Sequence, residues 1–205
     1  METTPASFAT TAPPRRSRQN SLRRLTVSVG AGVVSFFLSV SVDLALALPK
    51  PGERVPSLTI EDAWERRVDI DRLGRKPLLL VYEDEKSAKQ NTAFKEELSR
   101  MAKGDRYKQK VVLLAVADLD GYDYWPVRGF VRDAIKSESR KQNLPIFCDW
   151  QGRMREKLGL VRGQSNIVLY DKNGELLFSH AGELSSEQRK AVLGQLRAQL
   201  GEASP

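Results

Sequence analysis

The sequence is poor in the residues on which thiol chemistry depends, because Cys148 is its single cysteine among 205 residues. One cysteine cannot form a disulfide within the chain, and a Cys-x-x-Cys pair for thiol-disulfide exchange is absent from the sequence. Any thiol reaction would therefore require Cys148 alone or the thiol of another molecule.

Histidine is equally scarce, since His180 is the single one. One histidine and one cysteine do not supply the ligands of a zinc site, so we predict no metal, no cofactor, and a surface or capping role for His180. Residues 118–123 resemble a calcium-binding loop, but their glycine stands fourth instead of sixth and Gly129 replaces the glutamate ligand. We interpret this segment as a turn.

A continuous basic surface is also lacking. The net charge is +7, and the first 47 residues account for +3 of it. The remaining charges are interspersed, as on solvated helix faces, and no basic stripe with interleaved aromatic residues is present. We predict that nucleic acid is not a partner.

The first 47 residues have the pattern of an export signal. A basic stretch with five arginines precedes the uncharged run 25–42, and Ala45-Leu46-Ala47 matches the A-x-A pattern of a cleavage site. We predict cleavage after Ala47 and a periplasmic or secreted location. The alternative is an uncleaved anchor, because 18 uncharged residues can just span a bilayer. Only this segment would then contact a membrane.

The rest of the chain alternates strand and helix patterns, which indicates one α/β domain. We predict a linker at 48–54, the domain at 55–200 and a tail at 201–205. Val55–Ile60 and Val68–Ile70 are predicted to form an N-terminal hairpin. A strand at 78–82 precedes a helix of about 88–102 closed by Gly104, and 111–117 is an apolar run typical of a central strand buried on both faces.

Later segments continue this alternation. A helix is predicted to begin near Pro126. Its buried face is predicted to contain Phe130, Val131, Ala134 and Ile135. A strand at 144–150, a short helix at 154–158 and a hairpin at 167–178 follow. The last helix opens with a capping box at 185–188, and its predicted buried residues are Val192, Leu196 and Leu200.

This order of elements resembles the thioredoxin-like superfamily, in particular its peroxiredoxin and TlpA-like branch. The residues that carry the resemblance are Gly52 to Pro56, Gly74-Arg75-Lys76-Pro77 and Asp171-Lys172-Asn173-Gly174. It covers about 52–200 and implies a central mixed β-sheet flanked by helices, with an N-terminal β-hairpin extension.

A narrower resemblance is to the YtfJ-like family of small exported proteins. It is carried by Ser87-Ala88-Lys89, Phe130-Val131-Arg132 with Ser137-Glu138-Ser139, Val168 to Gly174, and Gly182 to Glu187. This resemblance implies a fold and a compartment, and almost no chemistry.

The resemblance also shows what this chain has lost. Ser87 and Gln90 stand at the two cysteine positions of the redox motif, and Ser165 aligns with the cis-proline that faces them. A serine hydroxyl has too high a pKa to be ionised at a helix N-terminus, and no histidine is near in sequence to act as its base. We predict that Ser87 and Gln90 form a capping box, and that the peptide bond before Ser165 is trans.

Cys148 is the remaining candidate thiol. It lies in a strand-like apolar segment, so we predict a buried and unreactive side chain. The alternative is a lone reactive thiol assisted by Arg153 or Arg155, although the adjacent Asp149 would oppose thiolate formation.

Four aromatic residues near the loops could anchor a partner, although we predict that they pack over the sheet edge. These residues are Tyr122, Tyr124, Trp125 and Trp150. By analogy with the fold, the best candidate for a binding surface lies beside the former redox position and includes Lys86, Lys89 and Trp125.

We therefore predict an exported binding or accessory protein of the cell envelope, whose partner is an envelope protein or a small ligand. Two alternatives remain open. One is a thiol oxidoreductase or peroxidase that uses Cys148, and the other is an anion-binding module at the helix N-terminus near Ser87.

Overall fold

The computed structural model describes residues 48–73, 75–102 and 105–202. The predicted signal segment with its cleavage site, the glycines Gly74 and Gly104, and the last three residues of the tail lie outside these ranges. Within them, no helix combines the length and the apolar character needed to cross a membrane.

The described residues form an α/β domain with a sheet of seven strands. The strands are β1 (Thr59–Asp62), β2 (Arg67–Asp69), β3 (Leu78–Glu83), β4 (Val112–Asp118), β5 (Ile146–Asp149), β6 (Asn166–Tyr170) and β7 (Leu176–Ala181). The helices are α1 (Thr92–Ala102), α2 (Asp105–Lys110), α3 (Val127–Gln142), α4 (Arg153–Leu158) and α5 (Ser186–Gln199). Short 3₁₀ turns stand at Ile70–Arg72 and Ser87–Lys89.

The sheet is mixed, as predicted, and its strand order is β2-β1-β5-β4-β3-β6-β7. The strands β3, β4 and β5 are parallel, and the other neighbouring pairs are antiparallel. The carboxyl ends of these three strands, at Glu83, Asp118 and Asp149, lie on one side of the sheet, which we call the carboxyl edge. Their amino ends lie on the opposite side, which we call the amino edge. The N-terminal hairpin is confirmed, although β1 begins at Thr59 and not at Val55.

The apolar side chains pack on both faces of the sheet. One face is covered by α1 and α5, and its buried residues include Leu79, Val81, Phe94, Leu98, Ile167, Val192 and Leu196. The other face is covered by α4 and the segment that follows it, and its buried residues include Leu80, Tyr82, Val116, Met154, Leu158 and Val168. A smaller cluster of Leu119, Cys148 and Trp150 packs against α3. Buried apolar side chains therefore cover both faces of the sheet.

Two helices, α5 and α3, test the predictions made from the sequence patterns. In α5 the predicted capping box is confirmed, since the N–H of Gln188 donates to Ser185 Oγ and the N–H of Ser185 donates to Gln188 Oε1. In α3 the predicted buried face is wrong in part, because Val131 and Ile135 pack inward whereas Phe130 is 73% exposed. Ala134 is also exposed. Since each residue turns a helix by about 100°, a face displaced by one residue brings Phe130 to the surface.

Candidate functional site

The segment after β3 holds Ser87, the first of the two positions that the resemblance matches with a redox cysteine. The N–H of Ser87 donates to Asp84 Oδ1 at 2.7 Å, and the N–H of Asp84 donates to Ser87 Oγ at 2.9 Å. This reciprocal pair has the form of a capping box in which Asp84 is the cap and Ser87 is the third residue after it. The predicted capping box of Ser87 with Gln90 is therefore wrong, because the turn begins three residues earlier.

The side chain of Gln90 makes a different contact. Its Oε1 accepts the N–H of Ser165 at 2.8 Å, so this bond joins the two residues that the resemblance matches with the second cysteine and the cis-proline. A proline has no N–H and could not make this bond. The peptide bond before Ser165 is trans, as predicted, and the cis bond within the described ranges joins Trp125 to Pro126.

Further hydrogen bonds connect Ser165 to the end of β3 and to the start of α1. Ser165 Oγ donates to Glu83 Oε1 at 2.6 Å, and Glu83 Oε2 accepts from Lys95 Nζ at 2.8 Å. Asn91 Nδ2 donates to Ser165 Oγ and to the carbonyl of Gly182, both at 2.9 Å. Asn91 Oδ1 accepts the N–H of Leu184 at 2.9 Å. We call these residues (Glu83, Gln90, Asn91, Lys95 and Ser165) the closed polar network.

The same segment does not offer an anion a free set of donors. Lys86 and Lys89 are exposed, but the carboxylate of Asp84 already accepts the N–H of Ser87. Burial raises the pKa of Asp84, yet the bonds from the N–H and the hydroxyl of Ser87 outweigh burial, so the pKa lies below its ordinary value. The chain's own carboxylate therefore stands where an anion would bind.

Cys148 lies in β5 and is 3% exposed. Burial raises the pKa of its thiol to about 12, while Arg132 and Arg128 lower it and Glu61 and Asp62 raise it further. A thiol with this pKa is almost entirely protonated at neutral pH. The geometry matches the predicted buried side chain.

The charged groups near Cys148 are not the ones named from the sequence. Asp149 accepts the N–H groups of Arg153 and Met154, both at 2.9 Å, and the hydroxyl of Tyr82 at 3.0 Å. Arg155 donates to Asp118 at 2.6 Å. Successive strand residues point to opposite faces, so Asp149 and its partners lie on the other side of β5 from the thiol.

The segment after β4 forms a turn at residues 120–121, as predicted. Asp118 is buried and bonds to Arg155 Nη1, and Asp120 Oδ2 accepts from Arg155 Nη2 at 2.8 Å. The residues that the structure describes contain no cluster of side chains arranged to hold a metal ion. Burial raises the pKa of Asp149, and its hydrogen bonds to the start of α4 do not fully reverse that shift.

His180, for which we predicted a surface or capping role, lies beside the start of α5. Its Nε2 lies 3.2 Å from the carbonyl of Glu183, and its Nδ1 lies 3.1 Å from the side chain of Gln188 in the α5 capping box.

The loop between β4 and α3 and the first turn of α3 carry exposed aromatic side chains, which we call the aromatic surface (Tyr122, Tyr124 and Trp125 in the loop, and Phe130 in α3). Trp125 is 91% exposed, Phe130 73% and Tyr124 58%. The prediction that the loop aromatics pack over the sheet edge is therefore wrong for Tyr124 and Trp125, and also for Tyr122, which is 39% exposed. It holds for Trp150, which is buried, with the Arg128 guanidinium 4.6 Å from its ring centroid.

A groove of about 460 Å³ adjoins the aromatic surface. Its wall includes Leu58 and Thr59 near the start of β1, Asp123 and Arg128 beside the aromatic residues, and Arg153 at the start of α4. The parallel strands end at this edge, so the groove, the aromatic surface and the closed polar network all belong to the carboxyl edge.

The sequence pointed to Ser87, Gln90 and Ser165 but not to Asp84 and Asn91, which form hydrogen bonds with Ser87 and Ser165. Asp84 carried a detectable signal, because an aspartate three residues before a serine at the start of a helix is a capping pattern. Asn91 carried none, because its three partners come from distant parts of the chain.

Comparison with known proteins supplies a family and a fold. The family model described as "Bacterial protein of unknown function (YtfJ_HI0045)" matches residues 84–199. No curated protein matches this chain in sequence.

Solved structures similar to the chain include the exposed lipoprotein thioredoxin Etrx1 from Streptococcus pneumoniae, at 20% identity and a TM-score of 0.53, covering 70% of this chain and 99% of that one. A putative thiol:disulfide interchange protein DsbE from Chlorobium tepidum is 21% identical with a TM-score of 0.56, covering 76% and 100%. A thiol peroxidase from Chromobacterium violaceum is 11% identical with a TM-score of 0.54, covering 74% and 88%. At such identities these likenesses show the fold alone, and the predicted thioredoxin-like fold is confirmed.

Proposed function

The chain belongs to the YtfJ_HI0045 family of bacterial proteins of unknown function, and we propose that it is an exported protein that binds another protein of the cell envelope without thiol chemistry. The observation that carries this proposal is the aromatic surface, which stands beside the position where redox-active relatives of the fold keep their cysteines.

The exposure of these side chains favours a protein partner. Soluble proteins seldom leave several large aromatic residues together in water unless they contact another molecule. Tryptophan and tyrosine also supply much of the binding energy at protein interfaces, because they bury a large area and lose little rotamer freedom. Trp125 and Tyr124, adjacent in the loop, fit this role.

The surroundings of Ser87 and Cys148 argue against thiol-disulfide exchange. A nucleophile at position 87 would need a low pKa and an open approach, yet Ser87 is completely buried and its hydroxyl is bonded to Asp84. The single thiol, Cys148, is buried and holds its proton at neutral pH.

The location belongs to the same proposal. An export signal at 1–47 with cleavage after Ala47 would deliver the domain to the periplasm or the exterior, and an uncleaved signal would anchor it to the membrane. We also propose that nucleic acid is not a partner, since ion pairs engage many of the arginines of the described domain.

The test is site-specific photocrosslinking in the cell of origin. A photoreactive amino acid at Trp125 or Tyr124 of the full chain is expected to give one discrete crosslinked product after irradiation. The same amino acid at the exposed Lys190 of α5 serves as the control and is expected to give none.

Adding Phe130→Ala to the Trp125 variant sharpens this test. The product should fall by about tenfold, because the second aromatic anchor of the same surface is gone. Equal products from Trp125 and Lys190, or a Trp125 product that Phe130→Ala leaves unchanged, would argue against binding through this surface.

A further inference from the structure

The turn between β6 and β7 has the sequence Asp171-Lys172-Asn173-Gly174 and lies at the amino edge of the sheet. The N–H of Gly174 donates to the carbonyl of Asp171 at 3.0 Å, and Gly174 has a φ of +79°. A turn closed in this way and followed by a left-handed glycine is a common connection of a β-hairpin. Asn173 is exposed in this turn.

An asparagine followed by a glycine is prone to deamidation, because glycine has no side chain to hinder the attacking nitrogen. The backbone nitrogen of Gly174 would attack the side-chain carbonyl carbon of Asn173 and form a five-membered succinimide ring. The amide nitrogen of Asn173 leaves as ammonia and takes the proton of the Gly174 N–H. Water then opens the ring at either carbonyl and leaves an aspartate or an isoaspartate. Water is the only other reactant, and no electron is transferred.

Both reacting groups of this pair are bonded to Asp171. Its carbonyl accepts the N–H of Gly174, the attacking nitrogen, and its Oδ2 accepts from Nδ2 of Asn173, the leaving group, at 3.0 Å. Its Oδ1 accepts the N–H groups of Asn173 and Glu175, both at 2.8 Å. Ring closure requires the nitrogen of Gly174 to turn towards the side chain of Asn173, so it breaks the bond to the Asp171 carbonyl. The turn must therefore open before the reaction can proceed.

We propose that Asn173 is a deamidation site whose reactivity is controlled by Asp171. The reaction is slow while Asp171 holds the turn closed and becomes faster when the bonds to its side chain are removed. The turn and the aromatic surface lie at opposite edges of the sheet, so partner binding through that surface does not depend on Asn173.

The product of the reaction would affect the N-terminal segment, which is attached to this hairpin. The carbonyl of Gly174 accepts the N–H of Val55 at 2.9 Å, and Arg54 pairs with Glu175. An isoaspartate at position 173 carries the main chain through its side chain and adds one carbon before Gly174. The added carbon displaces Gly174 from Val55, so the modified turn no longer holds the segment.

The experiment incubates the purified full chain at mildly alkaline pH and follows the peptide that contains Asn173 by mass spectrometry. Asp171→Ala should deamidate about tenfold faster than the parent chain, because the turn loses the side-chain hydrogen bonds that keep it closed. Lys172→Ala changes an exposed side chain of the same turn and is expected to react at the rate of the parent chain. Asn173→Gln should remove the signal and confirm its position.

Asp171→Asn keeps the turn intact in case Asp171→Ala fails to fold. Its single side-chain oxygen can still accept the N–H groups of Asn173 and Glu175, whereas its amide cannot accept from Nδ2 of Asn173. Its rate should lie between those of the parent chain and Asp171→Ala. Rates equal to that of the parent chain in the folded variants of Asp171 overturn the proposal.

Denaturing urea separates the effect of the fold from that of the local sequence. The parent chain and Asp171→Ala should deamidate at one common rate in urea, about tenfold or more above that of the folded parent chain. A folded parent chain that reacts as fast as the unfolded one overturns the proposal.

Hydrogen exchange then checks the effect on the N-terminal segment. In the isolated isoaspartate form, the amide of Val55 should exchange about tenfold faster than in the unmodified chain. Unchanged exchange at Val55 would contradict the release of this segment.

Discussion

The closed polar network and the aromatic surface both lie at the carboxyl edge of the sheet, but they differ in their exposure to water. The network buries polar side chains, whereas the aromatic surface exposes apolar ones. In the network, Asn91 and Ser165 are buried polar residues, and each has its hydrogen bonds supplied by the chain. On the aromatic surface, Trp125 and Phe130 are large apolar residues in contact with solvent.

This difference separates side chains that stabilise the fold from side chains that the fold does not require. Buried polar groups with complete partners stabilise a single arrangement of their loops. Exposed aromatic side chains contribute little to the fold, so their exposure calls for another explanation, such as a partner. Substitutions at the two places should accordingly have opposite consequences for stability and for binding.

The largest effect on stability is expected from Arg155→Ala. This change leaves Asp118 buried without its cation and should lower the free energy of unfolding by about 3–5 kcal/mol. Urea denaturation measures the change. Arg153→Ala, two residues earlier and exposed, is the matched control and should alter stability by less than about 0.5 kcal/mol. Similar losses from both variants would mean that the buried charge pair is not the cause.

Asn91→Ala is expected to be the next most damaging change. It removes the acceptor of Leu184 N–H and the donor to Ser165 Oγ and the Gly182 carbonyl, and it should cost about 2–3 kcal/mol. Thermal unfolding compares it with Thr92→Ala, whose side chain is exposed and should lose less than about 0.5 kcal/mol. A small loss at Asn91 would show that the network adds little to stability.

The buried thiol of Cys148 makes the stability of the domain depend on pH. Its thiol pKa is about 12 in the folded chain against 9.0 for the ordinary thiol, so the folded state keeps the proton that the unfolded state releases. Stability from this group is complete below pH 9 and is lost as pH rises towards 12, by about 1 kcal/mol between pH 9 and pH 10.

Comparing the parent chain with Cys148→Ala by urea denaturation at pH 7, 9 and 10 isolates this contribution. The stability difference between the two chains should stay constant from pH 7 to about pH 8 and then shift in favour of the variant. A difference that stays constant up to pH 10 would indicate that the thiol is not buried.

The smallest effect on stability is expected from Trp125→Ala. The side chain is almost entirely exposed, so the free energy of unfolding should change by less than about 0.5 kcal/mol. Partner binding, followed through crosslinking at Tyr124, should fall about tenfold or more. A large loss of stability would mean that Trp125 packs against the chain, and unchanged crosslinking would remove it from the interface.

The elements and their order were predictable from sequence, because apolar runs such as that of β3 and β4 depend only on neighbouring residues. The capping box of α5 was predictable for the same reason, since Ser185 and Gln188 are three residues apart. The turn at Ser87 was not, because two overlapping polar patterns compete there and only the structure decides between Asp84 and Gln90 as the partner.

The candidate sites were harder to predict than the fold. The Gln90–Ser165 bond joins residues 75 positions apart, and no local pattern encodes it. The exposure of Phe130 was not predicted because the buried face of α3 was placed one residue away from its true position. A sequence pattern does not distinguish an exposed aromatic residue from a buried one at that boundary.

The most direct test of the account is the reactivity of Cys148 in the folded protein. The purified protein is exposed to hydrogen peroxide and to a low-molecular-weight disulfide, and its intact mass is followed beside that of Cys148→Ser. We expect no change in mass while the chain is folded and full modification after it is denatured. Fast, stoichiometric formation of a sulfenic acid or a mixed disulfide in the folded protein would contradict the account and make Cys148 a redox site.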